Sequence, residues 1–533
     1  MSENQRPEAE PETQSAVGLT HDVEDNRQRR PSLTRQVGAL ASGSVAANVF
    51  ALLLLMALTR LVPKAELGAY QQLGLIFSIV SPLLVAGIPV ALLYFIPRSD
   101  DPADASSRVG EAYIVLGALG FITSTAIAVG RVPLAEALGN PELSGALLAY
   151  APYPFFMFVT SVMPMALVAV RRAGLAAALN ALGGAFVALG VLTAALIEAD
   201  ASHMATGLVV GQVWTAVAAT YAVQRTVGIS VRREKVKQGA LVLLGYGLPL
   251  ALTGLAGRFA FQFDRLVVSR NFTPALFAVY VVGAVELPIT AIVQQAVNAV
   301  LVPALSRHYA AGDLTGMAAL WRRAIRRTSL ILFPLFVFFM LTSTATVKLL
   351  FGSNYAESAE VFRIYLLLVP LRVATYGLIT QAIGRTRINL TASFVLLGLN
   401  AVLVLALVGP LGLVGPALGT VLATFGTSLY YLFRLRGILK LSVRALFPWR
   451  LLGINLAITV LAGVPAALVV LAGLDGVLQL AAAALLFGPT YLALMMLTRR
   501  LDSQEIDWGR RAVRMVFAIA RGRRHTPPTN VSG

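Results

Sequence analysis

The 533-residue sequence has no cysteine, only four histidines, and charge on just 13% of its residues. The first absence excludes disulfides, thiolate metal sites and thiol chemistry. The histidines, His21, His203, His308 and His525, fall in tails or connections and form no HExxH pattern, so no metal centre or cofactor is expected. Acids are scarcer than bases, 26 Asp+Glu against 43 Lys+Arg, for a net charge of +17. The tight acidic group Asp100, Asp101 and Asp104 sits in a short connection and reads as solvated charge. With no catalytic constellation and no large loop to hold one, the chain is not expected to be an enzyme. A basic-aromatic module for nucleic acid is missing as well.

What fills the chain instead is oil: 57% hydrophobic residues and a mean hydropathy of +0.75. An ordinary soluble domain carries about 25% charged residues. Apolar runs long enough to cross a roughly 30 Å hydrocarbon core recur from end to end. The expected fold is therefore an all-α polytopic membrane protein of about 14 transmembrane helices. Six spans are expected near 36–60, 69–97, 111–130, 147–169, 173–197 and 205–226. Six more follow near 239–263, 275–303, 328–350, 357–381, 388–408 and 412–434, with a final pair near 451–472 and 475–498. This divides the chain into a polar tail (1–35), an N-terminal six-helix bundle (36–227), a basic linker (228–238), a C-terminal six-helix bundle (239–436), two additional helices (437–498) and a basic tail (499–533). No signal peptide is expected ahead of the first run. In the last tail, Ile506, Val513, Val516 and Phe517 share one helical face, as in an interfacial helix. Arg171-Arg172, Arg322-Arg323, Arg326-Arg327 and Arg499-Arg500 all fall on one side, which places that face and both termini in the cytoplasm. The net charge thus reads as topology plus attraction to anionic membrane lipids.

Six charges lie inside the apolar runs: Arg258, Asp264, Arg265, Glu286, Arg363 and Arg372. Each costs roughly 2.5–3.5 kcal/mol even on the lenient insertion scale, so it persists only against a cavity, partner or ligand. The two halves also echo one another. Thr59-Arg60-Leu61-Val62 followed by Tyr70 matches Asp264-Arg265-Leu266-Val267 followed by Tyr280. Paired prolines come next, Pro82 with Pro97 and Pro288 with Pro303, while Pro89 has no counterpart. Both halves start on the same side, giving a parallel pseudo-repeat with a site expected between them. Arg60, Asp264 and Arg265 fall at outer helix ends and are expected to form a structural or gating rim.

Four segments carry a family resemblance: Leu58-Thr-Arg-Leu-Val-Pro-Lys-Ala-Glu-Leu-Gly-Ala-Tyr70; Phe263-Asp-Arg-Leu-Val267 with Val279-Tyr280; Leu350-Phe-Gly-Ser-Asn-Tyr-Ala-Glu-Ser-Ala359; and Gly384-Arg-Thr-Arg387 running on to Gly412-Leu-Val-Gly-Pro-Ala-Leu-Gly419. Over about 36–436 the chain resembles the polysaccharide-exporter branch, Wzx-type flippases included, of the multidrug/oligosaccharidyl-lipid/polysaccharide (MOP) superfamily. The resemblance implies two six-helix bundles around a central cavity. It also implies alternating access and a polyprenyl-pyrophosphate-linked oligosaccharide as cargo, moved to the outer leaflet for cell-surface polysaccharide. Guanidinium suits pyrophosphate because it stays charged and binds in a bidentate way. Arg258, Arg363 and Arg372 are thus expected to line an anion path, with Gln294 and Gln295 contacting sugar and Glu286 as ion-pair or coupling partner. The chain is expected to work as a monomer in the cytoplasmic membrane, alongside a polymerase or glycosyltransferases. A cation-coupled multidrug exporter and a membrane enzyme of polysaccharide assembly are the alternatives.

Overall fold

A computed structural model describes residues 33–85, 87–99, 101–232 and 236–500. Among them every regular element is a helix. Ten helices, from Gly43–Leu61 to Gly476–Leu497, are long and apolar enough to cross a membrane by length and composition. The other four expected spans are helical too. Those at 239–263 and 412–434 lie within Val236–Asn271 and Val414–Leu439, and those at 69–97 and 357–381 are broken into pieces. The protein is an all-α, multi-pass membrane protein. The interfacial helix expected at Ile506–Ala520 lies outside the described residues.

Local chemistry sets the helix starts. Asp101 caps Pro102–Val129 through the Ala103 amide at 2.9 Å, and Asp313 caps Leu314–Phe351 through the Gly316 amide at 2.7 Å. Proline opens several helices, where its missing N–H costs nothing. Within the first group, Leu33–Leu61 and Ala201–Thr226 both pack on Ala173–Ile197. Within the second, Thr386–Leu411 packs on Val414–Leu439 and Val236–Asn271. A buried polar clasp spans these three: the Asn400 amide donates to the Ala260 carbonyl (2.5 Å) and the Thr420 hydroxyl to Asn400 Oδ1 (3.2 Å). Interhelical hydrogen bonds of this kind are worth on the order of 0.6 kcal/mol each in a bilayer. The final helices, Trp449–Leu471 and Gly476–Leu497, pack on each other and on Leu314–Phe351. Asn455 donates to Ser329 (3.0 Å) and Tyr491 to the Leu330 carbonyl (3.0 Å) there.

The two groups meet at one end through one apolar cluster that includes Leu58, Leu67, Leu73, Phe277 and Tyr280. Lys64–Val85 crosses Pro274–Gly283 so closely that a Cβ on Gly68 would run into the Pro274 carbonyl. Beside the crossing, buried Gln72 donates to Ser269 Oγ (2.9 Å) and accepts from Asn140 (2.8 Å). Arg60 adds a strut, its guanidinium donating to the carbonyls of Leu349 (2.6 Å) and Leu350 (2.8 Å) at the end of Leu314–Phe351. Toward the other face, Gly87 and Gly247 bring two backbones into contact, with no room for a side chain between them.

Two of the discontinuous spans are counterparts in the repeat, and this is where the repeat departs from its sequence reading. In the second half, the chain leaves the helix after Gly283 and re-enters at Pro288. In the first, Lys64–Val85 is followed by Ile88–Phe95, whose first turn holds Pro89. Pro82, expected to match Pro288, lies inside the first piece, and Pro89 opens the second. The depths differ as well. Ten residues of helix rise about 15 Å, half a hydrocarbon core, whereas 22 rise about 33 Å and reach the far side. Only the second break lies near mid-membrane.

Candidate functional site

Residues Ala284 to Leu287 are that mid-depth break, and Glu286 is its one charged residue. Unwound backbone is tolerated at such depth only where protein buries it or a wet cavity meets it. A cavity does meet it. About 560 Å³ in volume, it is walled by Asn48, Leu52 and Gln71 from the first group and Gln262, Arg265, Val285, Glu286 and Gln295 from the second. It therefore lies between the two halves, as expected for a parallel repeat. A second cavity of about 460 Å³, within the second group, is lined by Gln294, Arg372, Ser393 and Tyr431. The two share Phe261, Glu286, Ala291 and Leu368 as a wall.

The expected site residues divide sharply in this geometry. Arg372 forms a two-pronged ion pair with Glu286, Nη1 to Oε2 at 2.7 Å and Nη2 to Oε1 at 2.5 Å. Glu286 is thus an ion-pair partner, and Arg372 is a neutralised cation in the wall between the cavities. Gln295 faces the interlobe cavity, while the Gln294 amide donates to the Arg372 carbonyl at 3.3 Å. Arg363 is off the cavities: its guanidinium donates to Ser343 Oγ (2.6 Å) and Thr344 Oγ1 (2.9 Å), tying Ser358–Leu366 to the neighbouring helix. Arg363, expected on the same path as Arg372, thus lines neither of these two cavities.

The three residues expected at the rim take different positions. Asp264 is fully buried and accepts from the hydroxyls of Tyr280 (2.7 Å) and Tyr365 and from the Arg265 amide (2.8 Å). It knots three helices together and makes no pair with its neighbour. Arg265 instead points into the interlobe cavity, and among the described residues its guanidinium has no hydrogen-bond or ion-pair partner. Arg60, its match in the repeat, is a strut where the two groups meet, so matching sequence positions do not share a role. Arg258, Gln262 and Arg265 are spaced i, i+4 and i+7, which aligns them in one helical stripe. Arg258 is exposed, about 10 Å along that stripe from Arg265 toward the arginine-rich end.

Asn48, Gln71, Gln262, Tyr365 and Thr420 also line the interlobe cavity and are not among the residues singled out from sequence. Their signal was weak: a lone amide or hydroxyl inside an apolar run costs less than a charge and draws less notice. Elsewhere, Glu198, Asp200 and His203 form the one group among the described residues with metal-ligand spacing. The imidazole lies between two carboxylates, Nδ1 to Asp200 at 3.0 Å and Nε2 to Glu198 at 3.5 Å. That bracketing suits a protonated ring donating on both sides rather than a shared ion.

By sequence, no curated protein matches the chain. A family profile described as "Polysaccharide biosynthesis protein" matches residues 57–360, more than half of the chain. The chain belongs to that family. Among solved structures, this polysaccharide biosynthesis protein is similar to the lipid II flippase MurJ in an inward closed conformation. The TM-score is 0.70 at 14% identity, over 86% of this chain and 98% of that one. An inward-facing multidrug resistance MATE transporter of the MOP superfamily gives 0.60 at 18% identity, over 74% and 94%. A MOP superfamily transporter from Pyrococcus furiosus, described as having a binding pocket of reversed polarity, gives 0.55 at 17% identity, over 77% and 97%. The family member thus has the fold of MOP-superfamily transporters.

Proposed function

We propose that the protein is a flippase that carries a polyprenyl-pyrophosphate-linked oligosaccharide from the cytoplasmic to the outer leaflet by alternating access. The observation that carries the reading is Arg265: an unpaired guanidinium in an interlobe cavity near mid-membrane. A cation held there at a cost of several kcal/mol calls for an anionic cargo. Arg258 on the same stripe extends the path toward the arginine-rich face, which this reading places in the cytoplasm with both termini. Asn48, Gln71, Gln262 and Gln295 offer amides to sugar hydroxyls, and the lipid tail stays in the bilayer. A multidrug exporter of cationic compounds requires an acidic cavity. Here the one cavity carboxylate, Glu286, is occupied by Arg372, leaving net positive charge.

The test is lipid-linked oligosaccharide transport in reconstituted vesicles, backed by complementation of a flippase-deficient strain. Loss of a charge-assisted phosphate contact costs about 1.5–3 kcal/mol, so Arg265→Gln should cut transport roughly tenfold or more. Arg258→Gln should also impair it, whereas Arg363→Gln should leave it near wild type. Wild-type transport by Arg265→Gln at matched expression would sink the proposal.

A further inference from the structure

A third cavity, remote from the interlobe site, sits where the final helix pair meets the body of the protein. About 920 Å³ and open to one side, it is lined by Arg444, Arg450, Arg500, Phe447, Trp449 and Leu451, with Ile454 deeper. No acidic residue lines it. Among the described residues, none of the three guanidinium groups has a hydrogen-bond or ion-pair partner. Its walls are fixed from behind: Arg322 donates to the Ala445 carbonyl at 2.5 Å, and Phe447 packs between Trp449 and Trp321, with ring centroids 4.5 and 6.1 Å away.

Its depth follows from the helices. Trp449–Leu471 is an apolar span of 23 residues, about 34 Å, which begins at this cavity. Gly476–Leu497 ends three residues before Arg500. The arginines therefore lie at headgroup level, with Trp449 at the polar–apolar boundary that tryptophan favours. Leu451 and Ile454 continue the wall into the hydrocarbon. An isolated soluble phosphate has no use for that apolar side, whereas a lipid has both a head and chains to fit it. Three cations also exceed the single charge of one phosphodiester. We infer that this cavity binds an anionic phospholipid whose headgroup carries two phosphodiesters, with Arg444, Arg450 and Arg500 holding the phosphates and Leu451 and Ile454 meeting an acyl chain. The inference concerns a bilayer lipid at a separate site and does not depend on which cargo is transported.

The test is native mass spectrometry of the full-length protein in detergent, titrated with a diphosphatidylglycerol, with phosphatidylglycerol, with phosphatidylethanolamine and with inorganic pyrophosphate. Wild type should retain the diphosphatidylglycerol in preference to the other three. Each interfacial arginine contributes a factor of about five, so Arg444→Gln/Arg450→Gln/Arg500→Gln should weaken it on the order of a hundredfold. A control with equal charge loss on the same face, Arg323→Gln/Arg434→Gln/Arg436→Gln, should change it by less than threefold. Equal loss in the control would reduce the cavity to general surface charge and overturn the inference, as would an unaffected triple variant. Displacement of the lipid by pyrophosphate at matched concentration would make it a free-phosphate site, also against the inference. If the triple variant is not monodisperse, Arg444→Gln and Arg500→Gln alone should each weaken binding about fivefold, and no change in either overturns it.

Discussion

The ion pair between Glu286 and Arg372 fastens the unwound segment at mid-membrane to the chain that follows Leu368–Leu371, and its strength can be worked from its setting. Both prongs are short, but the side chains are 51% and 20% exposed, respectively. A fully exposed pair is worth about 0–1 kcal/mol, and a charged hydrogen bond out of water about 1.5–3 kcal/mol. A pair between these limits should couple by about 1–2 kcal/mol. The perturbation is a double-mutant cycle of Glu286→Gln, Arg372→Gln and both together, read by reversible unfolding in mixed detergent. Each single variant should lose about 1–2 kcal/mol, because it strands a charge in the cavity wall. The double variant should lose no more than either, since neither charge is left alone. Exchanging the two residues should recover most of the stability. If the single losses add to within about 0.5 kcal/mol of the double, the residues are not coupled and the wall between the cavities is held by something else.

Two further outcomes follow from the geometry. A Gly68→Val substitution pushes two methyl groups and a Cβ against the Pro274 carbonyl. It should destabilise this junction of the two halves by about 1–3 kcal/mol, with Gly68→Ala nearer the lower figure; unchanged thermal unfolding in both would refute the close crossing. The Gly316 amide, then the Thr315 hydroxyl and His308, hold the Asp313 carboxyl below the usual carboxylate range. A depressed carboxylate stabilises the fold above its unfolded value of about 4, and that stabilisation is lost as pH falls through the folded value. Asp313→Ala should therefore lower the unfolding midpoint at pH 7 but not at pH 2.5, and an equal drop at both would argue against the cap.

Much of the architecture was legible because it rests on hydrophobic length alone. Helices stand at every expected span, and a cavity lies between the two halves that the repeat pairs. The break at Ala284 to Leu287 was not legible as a break, since the apolar residues around it read as one continuous run. Pro288 marked the place, but a proline in a membrane helix signals a kink as readily as a restart. The roles of the buried charges were hidden for a different reason. An apolar run shows that a charge is costly, not which way it faces. Arg363 meets two hydroxyls contributed by the preceding helix, Asp264 meets two tyrosines, and Arg265 is left facing open space. The spacing of Arg258, Gln262 and Arg265 was the available clue, since it puts all three on one stripe.

The attachment of the last two helices has a practical consequence. Trp449–Leu471 and Gly476–Leu497 rest chiefly on Leu314–Phe351, away from the interlobe cavity. If the two halves rock against each other, this pair should travel with the second half as a passenger. The sequence has no cysteine to remove. One spectroscopic label on the passenger and another on Ala173–Ile197 would then act as a ruler for the stroke, with every residue of the path and the junction left untouched.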